Sequence, residues 1–204
     1  MDSLIATLTD FYGWRVFRPG QREAIESILS GRDSLIVLPT GGGKSLCYQL
    51  PALVRKGLVV VVSPLLALME DQVEKLRNKG ILSLCLHSCL DYSQRINAYE
   101  QMNDEDLRLL YVAPERLNNN VIRNFLEKKV VERKIVALAV DEAHCISAWG
   151  HDFRPAYLRL GEIRSLLRGV PLVALSATAA PRVRADIIRR LGLKKPYLEV
   201  SSSK

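Results

Sequence analysis

The sequence predicts an α/β fold: a mostly parallel sheet with helices on both faces. Three observations carry this reading. Seven apolar runs of strand length recur, at 34–38, 58–63, 82–87, 108–113, 135–141, 171–175 and 196–200. Amphipathic stretches at 20–30, 44–55, 65–79, 93–102, 114–129, 156–168 and 181–191 separate most of them. Strands and helices that alternate in this way build crossover units, whose strands lie parallel and are covered on both sides. A glycine-rich turn also joins the first apolar run directly to a helical stretch, the strand–loop–helix order of such a unit.

Taken in order, residues 3–12 form a short helix ahead of the first strand. Arg18-Pro19 then sets an extended residue before the helix at 20–30, because proline disfavours α geometry in its predecessor. The run from Ser34 to Leu38 reads as a buried strand, and the segment from Leu46 to Leu50 starts the helix after the turn. Ligands bind at the carboxyl ends of strands in open α/β sheets. That rule gathers the glycine turn, Ser63-Pro64, Ala113-Pro114, Asp141-Glu142 and Ser176-Ala177-Thr178 on one rim. No linker, low-complexity tract or internal repeat interrupts the chain, so residues 1–204 are expected to form one domain.

Composition bounds the class. A chain of 204 residues with 48% hydrophobic and 25% charged residues is ordinary for a globular protein with a full core. No apolar stretch, Leu58–Val62 and Ile135–Val140 included, is long enough to cross a bilayer. The start, MDSLIATLTD, lacks the pattern of a signal peptide, so a cytosolic or nuclear setting is expected: cytoplasmic, at the nucleoid, in a bacterium, or nuclear in a eukaryote. Cys47, Cys85, Cys89 and Cys145 are expected to be reduced core thiols rather than disulfides. Cys85, His87 and Cys89 find no fourth ligand at zinc spacing, so no zinc is expected. The net charge of +7 favours polyanionic partners without specifying one; a merely basic soluble surface would give the same figure.

The turn reads Leu38-Pro39-Thr40-Gly41-Gly42-Gly43-Lys44-Ser45, and residues 141–144 read Asp141-Glu142-Ala143-His144. A glycine-rich turn opening a helix presents several backbone N–H groups, and the helix dipole, to one point. Such a loop suits phosphates, with Lys44 reaching the β- and γ-phosphates and the Ser45 hydroxyl ligating Mg²⁺. The general pattern asks for glycine where this chain has Leu38; the three glycines can still supply the amides. Asp141, after an apolar strand, would hold Mg²⁺, and Glu142 would take a proton from the attacking water. The competing reading of the acidic pair is a helix cap.

More of the chain resembles the first RecA-like motor domain of superfamily 2 helicases, specifically of the RecQ family, a P-loop NTPase fold. Leu8, Tyr12, Gly13, Phe17, Arg18, Pro19, Gly20 and Gln21 fit the adenine-recognition motif, within 8–24. The segment from Val62 to Val73 resembles a DNA-contacting motif, and that from Tyr111 to Leu117 the next. Residues 141–155 combine the DEAH box with an aromatic-rich loop, Trp149-Gly150-His151-Asp152-Phe153-Arg154. Ser176-Ala177-Thr178 matches the motif coupling hydrolysis to movement. In this family the first glycine of the general loop pattern is normally missing.

The resemblance implies that Trp14 stacks on adenine, that Gln21 reads its edge and that Arg18 lies near the nucleotide. Trp149, Phe153 and Arg154 would grip unpaired bases, and His144 would bond to Ser176 or Thr178. Core packing of Trp14, Trp149 and Phe153, a solvated helix position for Gln21 and a simply buried His144 are the plainer alternatives. Arg182, Arg184, Arg189, Arg190, Lys194 and Lys195 read as solvated surface or as contact with a following domain. The implied activity is the ATP-binding motor half of an ATP-dependent 3′-to-5′ DNA helicase acting on single-stranded and branched DNA. Family helicases also have a second RecA-like domain and C-terminal regions. These are not expected within 204 residues, so weak hydrolysis is expected, from either an excised piece or a truncated protein. The alternative is a nucleotide-dependent module that binds DNA or a partner without helicase activity.

Overall fold

The computed structural model describes residues 2–150 and 152–201; His151 of the aromatic-rich loop lies outside them. Strands β1 (Ser34–Val37), β2 (Leu58–Val62), β3 (Ser83–Leu86), β4 (Leu109–Val112), β5 (Ile135–Val140), β6 (Leu172–Ser176) and β7 (Tyr197–Val200) form one sheet. Its order is β3-β4-β2-β5-β6-β1-β7, and every pairing is parallel. All strands therefore point their carboxyl ends at the same rim.

The strands alternate their side chains between two cores, as a period of two requires. Leu35 and Val37 of β1, with Leu58, Val60 and Val62 of β2, face one core. Ile36, Val59 and Val61 face the other. The second core is covered by α1 (Ser3–Tyr12), α2 (Gln21–Leu29), α3 (Lys44–Arg55) and α4 (Leu66–Arg77), through residues such as Leu8, Ile25, Leu50 and Met69. The first is covered by α6 (Asn120–Val131), α7 (Leu160–Leu166) and α8 (Pro181–Leu191), through Phe125, Ile163 and Ile187. Helix α5 (Tyr92–Gln101) buries none of its own residues completely and lies at the β3 edge.

Two predicted helices are each divided. Residues 114–129 become a 3₁₀ turn, Pro114–Asn118, followed by α6, and 156–168 become a 3₁₀ turn, Pro155–Arg159, followed by α7. Each turn opens on a proline, whose fixed φ starts a helical turn. At the first break Asn119 is extended and caps α6 with its side chain, which accepts from Val121 and Ile122.

The cysteine reading also needs correction. Cys47 and Cys145 are buried, but Cys85 is half-buried and Cys89 exposed, so the four free thiols are not all core residues. Apolar periodicity could not separate Cys89 from the strand before it, because β3 stops at Leu86. Burial pushes the thiols of Cys47, Cys85 and Cys145 up to about 12, well away from thiolate chemistry.

Candidate nucleotide and nucleic-acid site

Strand order builds the site. β6 lies between β5 and β1, so the segments leaving these three strands are neighbours on the rim. Leu38 N–H donates to the Ser176 carbonyl at 3.2 Å, tying the start of the glycine turn to the end of β6. Asp141 N–H donates to the Val62 carbonyl at 2.8 Å, tying the acidic pair to the end of β2. Spacing between neighbouring strands is about 4.8 Å, which sets β1 and β5 roughly 10 Å apart, across one phosphate chain.

The turn at 38–45 is shaped by backbone that only glycine adopts easily. Gly41 and Gly43 have φ of 76° and 78°, and a Cβ on Gly42 would lie 2.8 Å from the Pro39 carbonyl oxygen. Lys44 Nζ donates to the Leu38 carbonyl at 3.2 Å, folding the ammonium back across the turn. Lys44 and Ser45 open α3, so their amides stand at a helix N-terminus. Thr40 is exposed at the tip.

The residues of the adenine motif approach this turn from the start of α2 and the segment before it. Arg18 donates through Nη1 to the Gly41 carbonyl. Gln21 is buried and bridges two segments. Its Oε1 accepts from the Arg18 amide at 2.8 Å, and its Nε2 donates to the Gly43 carbonyl at 3.1 Å. Its carboxamide is thus committed to the turn itself. Trp14 is 49% exposed, with its ring 5.5 Å from that of Tyr12. Both rings line a cavity of about 520 Å³ with Gly43, Ser45, Gln49, Gln72 of α4 and Lys79 just beyond it. Trp14 is therefore not a core residue.

Asp141 and Glu142 follow β5. Asp141 is buried, and this burial, reinforced by the neighbouring Glu142 carboxylate, pushes its carboxyl up to about 6. Glu142 sits at φ 48°, a left-handed conformation uncommon for glutamate, and opens a 3₁₀ turn over Ala143–Ile146 without a side-chain capping bond. The cap reading therefore does not account for the pair. Strain of this kind persists only where the surroundings enforce it. Here Tyr157, buried, donates its hydroxyl to the Asp141 carbonyl at 2.9 Å. No local pattern in the chain points to Tyr157, since its contact depends on the 3₁₀ turn at Pro155–Arg159.

His144 joins the acidic pair to β6. Its Nδ1 lies 3.0 Å from Ser176 Oγ and 3.3 Å from Glu142 Oε2. Ser176 Oγ donates to the Thr178 carbonyl at 2.7 Å, so toward His144 it acts as acceptor, and an ionised Glu142 can only accept. The proton on this ring is therefore assigned to Nδ1, shared between the two. Glu142, His144, Ser176 and Thr178 form one continuous chain.

The aromatic-rich loop hangs from this framework. Trp149 and Phe153 are 58% and 41% exposed, so neither packs in the core. Arg154 is held internally, by Asp152 at 3.0 Å and by the Pro64 carbonyl at 3.3 Å, which fastens the loop to the segment after β2. Arg182, read from sequence as solvated surface or a domain contact, instead lies over the Trp149 ring, its guanidinium carbon 3.3 Å from the ring centroid. Helix periodicity could not say which loop that face of α8 meets.

A buried polar network also escaped the sequence. Gln49 accepts from Tyr12 Oη at 2.9 Å and donates to Gln72 at 2.9 Å and Tyr111 Oη at 3.1 Å. It ties α3 to α4 and β4, the two segments that resemble DNA-contacting motifs. Among the described residues no group of three or more His, Cys, Asp or Glu could hold a metal.

Residues 18–187 match the DEAD/DEAH box helicase family. The chain is 42% identical over 191 residues to the ATP-dependent DNA helicase RecQ of Pasteurella multocida, covering 94% of this chain and 30% of that protein. It is 46% identical over 198 residues to the ATP-dependent DNA helicase RecQ of Synechocystis, covering 95% and 41% respectively. The chain thus spans about a third of the length of the curated relatives it matches. A crystal structure of the DUF1998 helicase MrfA bound to DNA and AMPPNP shares its fold, with a TM-score of 0.72 at 16% identity, covering 100% of this chain and 29% of that one. An all-parallel sheet, a glycine turn and a DEAH segment joined through Ser176, and these relatives together place the chain in the DEAD/DEAH box helicase family, as a motor domain of the RecQ type.

Proposed function

We propose that this domain binds Mg²⁺–ATP and single-stranded DNA, as the ATP-binding motor half of a 3′-to-5′ DNA helicase. The observation that carries the reading is the meeting of the glycine turn, the acidic pair and Ser176 on three adjacent strand ends. The curated relatives are named ATP-dependent DNA helicases but are much longer, so unwinding is proposed for the whole protein that contains this domain.

The residues present fit the nucleotide. The amides of Thr40, Gly41, Gly42, Gly43, Lys44 and Ser45 surround a turn that tolerates no Cβ at its centre, the close backbone approach that phosphates need. Lys44 exchanges its bond to the Leu38 carbonyl for the β- and γ-phosphate oxygens. Trp14 offers an exposed indole face to the adenine, Arg18 lies at the turn, and Gln21 turns its carboxamide from the turn to the base edge.

Ser45 and Asp141 are the residues that would hold Mg²⁺. A buried carboxylate beside a second carboxylate, with Lys44 as its nearby cation, suits a divalent ion, because the ion removes the cost of ionising it. When bound, Mg²⁺ neutralises phosphate charge. Glu142 accepts a proton from the water that attacks the γ-phosphorus, as the bond to the ADP oxygen breaks. His144 fixes the Glu142 carboxylate and passes its position to Ser176 and Thr178. Trp149 and Phe153 stack on unpaired bases, while Arg154 holds the loop in place.

An arginine supplied by a partner domain is worth roughly 10³–10⁵ in rate at related phosphoryl-transfer sites. The domain by itself is therefore expected to bind nucleotide and turn it over slowly. The deciding experiment measures ATP binding and turnover with and without single-stranded DNA, for this chain and for the whole protein. Stimulation by DNA in the whole protein supports the motor reading. Tight nucleotide and DNA binding with no turnover in either would favour a non-enzymatic binding module.

A further inference from the structure

Helix α8 follows the coupling segment, and the structure fastens it to the aromatic-rich loop through Arg182. Arg182 stands in its first turn, immediately after Pro181, with its guanidinium carbon 3.3 Å from the centroid of the Trp149 ring. That distance is direct stacking contact, well inside the range over which a cation is attracted to an indole face. One turn further on, Asp186 is buried, and against that burial the Ser147 hydroxyl is among the groups that lower its carboxyl pKa. The same Ser147 oxygen accepts from the Trp149 amide at 3.2 Å. Residues four apart share one helix face, so the face of α8 that carries Asp186 also lays Arg182 on the ring of Trp149.

This arrangement leaves Trp149 half covered. An indole 58% exposed, with one face under a guanidinium, has its other face open to solvent. Mobile tryptophans lose rotamer freedom when a base stacks on them, which lowers the affinity gained from the stack. A tryptophan already held from behind loses less. Planar, delocalised and weakly hydrated, the guanidinium suits such a backing layer better than an ammonium group.

We infer that Arg182 is a positioning residue for single-stranded DNA binding, forming the lower layer of a base–Trp149–Arg182 stack and joining α8 to the DNA-sensing loop. The inference rests on the reading of Trp149 as a base-stacking residue. It adds that α8, just beyond Ser176–Thr178, is part of the DNA grip rather than plain surface. The stretches 141–154 and 176–182 are then linked twice, through His144–Ser176 and through Arg182–Trp149.

The test uses this chain with a fluorescent single-stranded oligonucleotide and four proteins: Trp149→Ala, Arg182→Ala, Arg182→Lys and the double variant Trp149→Ala/Arg182→Ala. A Trp14→Phe background makes intrinsic fluorescence report Trp149 alone. The expected result is a loss of about three- to tenfold in DNA affinity for Arg182→Ala, with partial recovery in Arg182→Lys. The double variant should bind no more weakly than Trp149→Ala, within about twofold, because Arg182 acts through the ring. Trp149 emission without DNA should change in Arg182→Ala, while melting temperature stays within about 2 °C of the parent's, as for an exposed surface change. Unchanged affinity in Arg182→Ala, tighter binding, or losses that add in the double variant would each overturn the inference. Wild-type affinity in Trp149→Ala would instead overturn the reading of the loop on which it rests.

Discussion

The turn at 38–45 and the loop at 147–154 lie on one rim, yet they are held differently. The first makes much of its own shape, although the Ser176 carbonyl, Arg18 and Gln21 also bind it. Gly42 donates to Pro39, Leu46 to Gly43 and Lys44 to Leu38, and two of its glycines take positive φ. The second has internal bonds too, from Arg154 to Asp152 and from the Trp149 amide to Ser147, but its exposed parts are placed from outside: Arg154 by the Pro64 carbonyl and the Trp149 ring by Arg182. A phosphate cradle needs fixed backbone donors, which local sequence can specify. An exposed pair of aromatics has no such scaffold of its own and takes its position from neighbours. Changes in the first should therefore act on nucleotide alone, and changes in the second on communication.

The largest expected effect lies at the junction of the two. Glu142→Gln should lower turnover in the whole protein by roughly 10²–10⁴, the usual contribution of a general base, while nucleotide affinity stays near the parent's. Steady-state ATPase beside equilibrium nucleotide binding checks this, and equal turnover would remove Glu142 from the chemistry. Next in size, Lys44→Ala should weaken nucleotide binding by about 10², the scale of a charge-assisted contact to phosphate. DNA affinity without nucleotide should not change. Loss of both together would break the proposed independence of turn and loop.

Asp141→Asn sharpens the comparison through stability. Burial raises the Asp141 carboxyl from 3.8 to about 6, so its folded form binds a proton more tightly than its unfolded form. The charge thus costs stability above about pH 6, and the cost fades as pH falls from there toward 3.8. Asp141→Asn should raise the stability of the nucleotide-free domain by on the order of 2 kcal/mol at pH 7.5, with the gain shrinking toward pH 4. Chemical denaturation at the two pH values tests this; a variant no more stable at pH 7.5 would show that the acidic pair is not strained by burial.

The most local effect is expected at the loop. Trp149→Ala or Phe153→Ala should weaken single-stranded DNA binding by about 1–3 kcal/mol each. Basal ATPase in the whole protein should persist while its stimulation by DNA falls. A lower melting temperature with an unchanged stimulation ratio would return these rings to a packing role.

Much of this molecule was legible before its structure. All seven strands fall within a residue or so of their apolar runs, because burial on both faces of a parallel sheet leaves uninterrupted valines, leucines and isoleucines such as those of β2. The helices failed only where Pro114 and Pro155 impose 3₁₀ turns that an amphipathic pattern spans without a break. The turn at 38–45 was legible because its glycines and lysine are adjacent in the chain. Tyr157, Gln49 and Arg182 were not, since each works through a partner tens of residues away or through a broken helix.

By itself, then, the sequence determined the alternation of strands and helices, the glycine-built turn and the residue types at the strand ends. These depend on local backbone freedom and on a period of two or 3.6, both written in short stretches of chain. Tertiary structure alone decided that β6 lies between β5 and β1, bringing residues 38–45, 141–142 and 176–178 together. It alone decided that α8 lays Arg182 on Trp149 rather than in water. Strand order and helix docking follow from which distant surfaces bury each other, and hydrophobic periodicity marks a face as buried without naming what covers it.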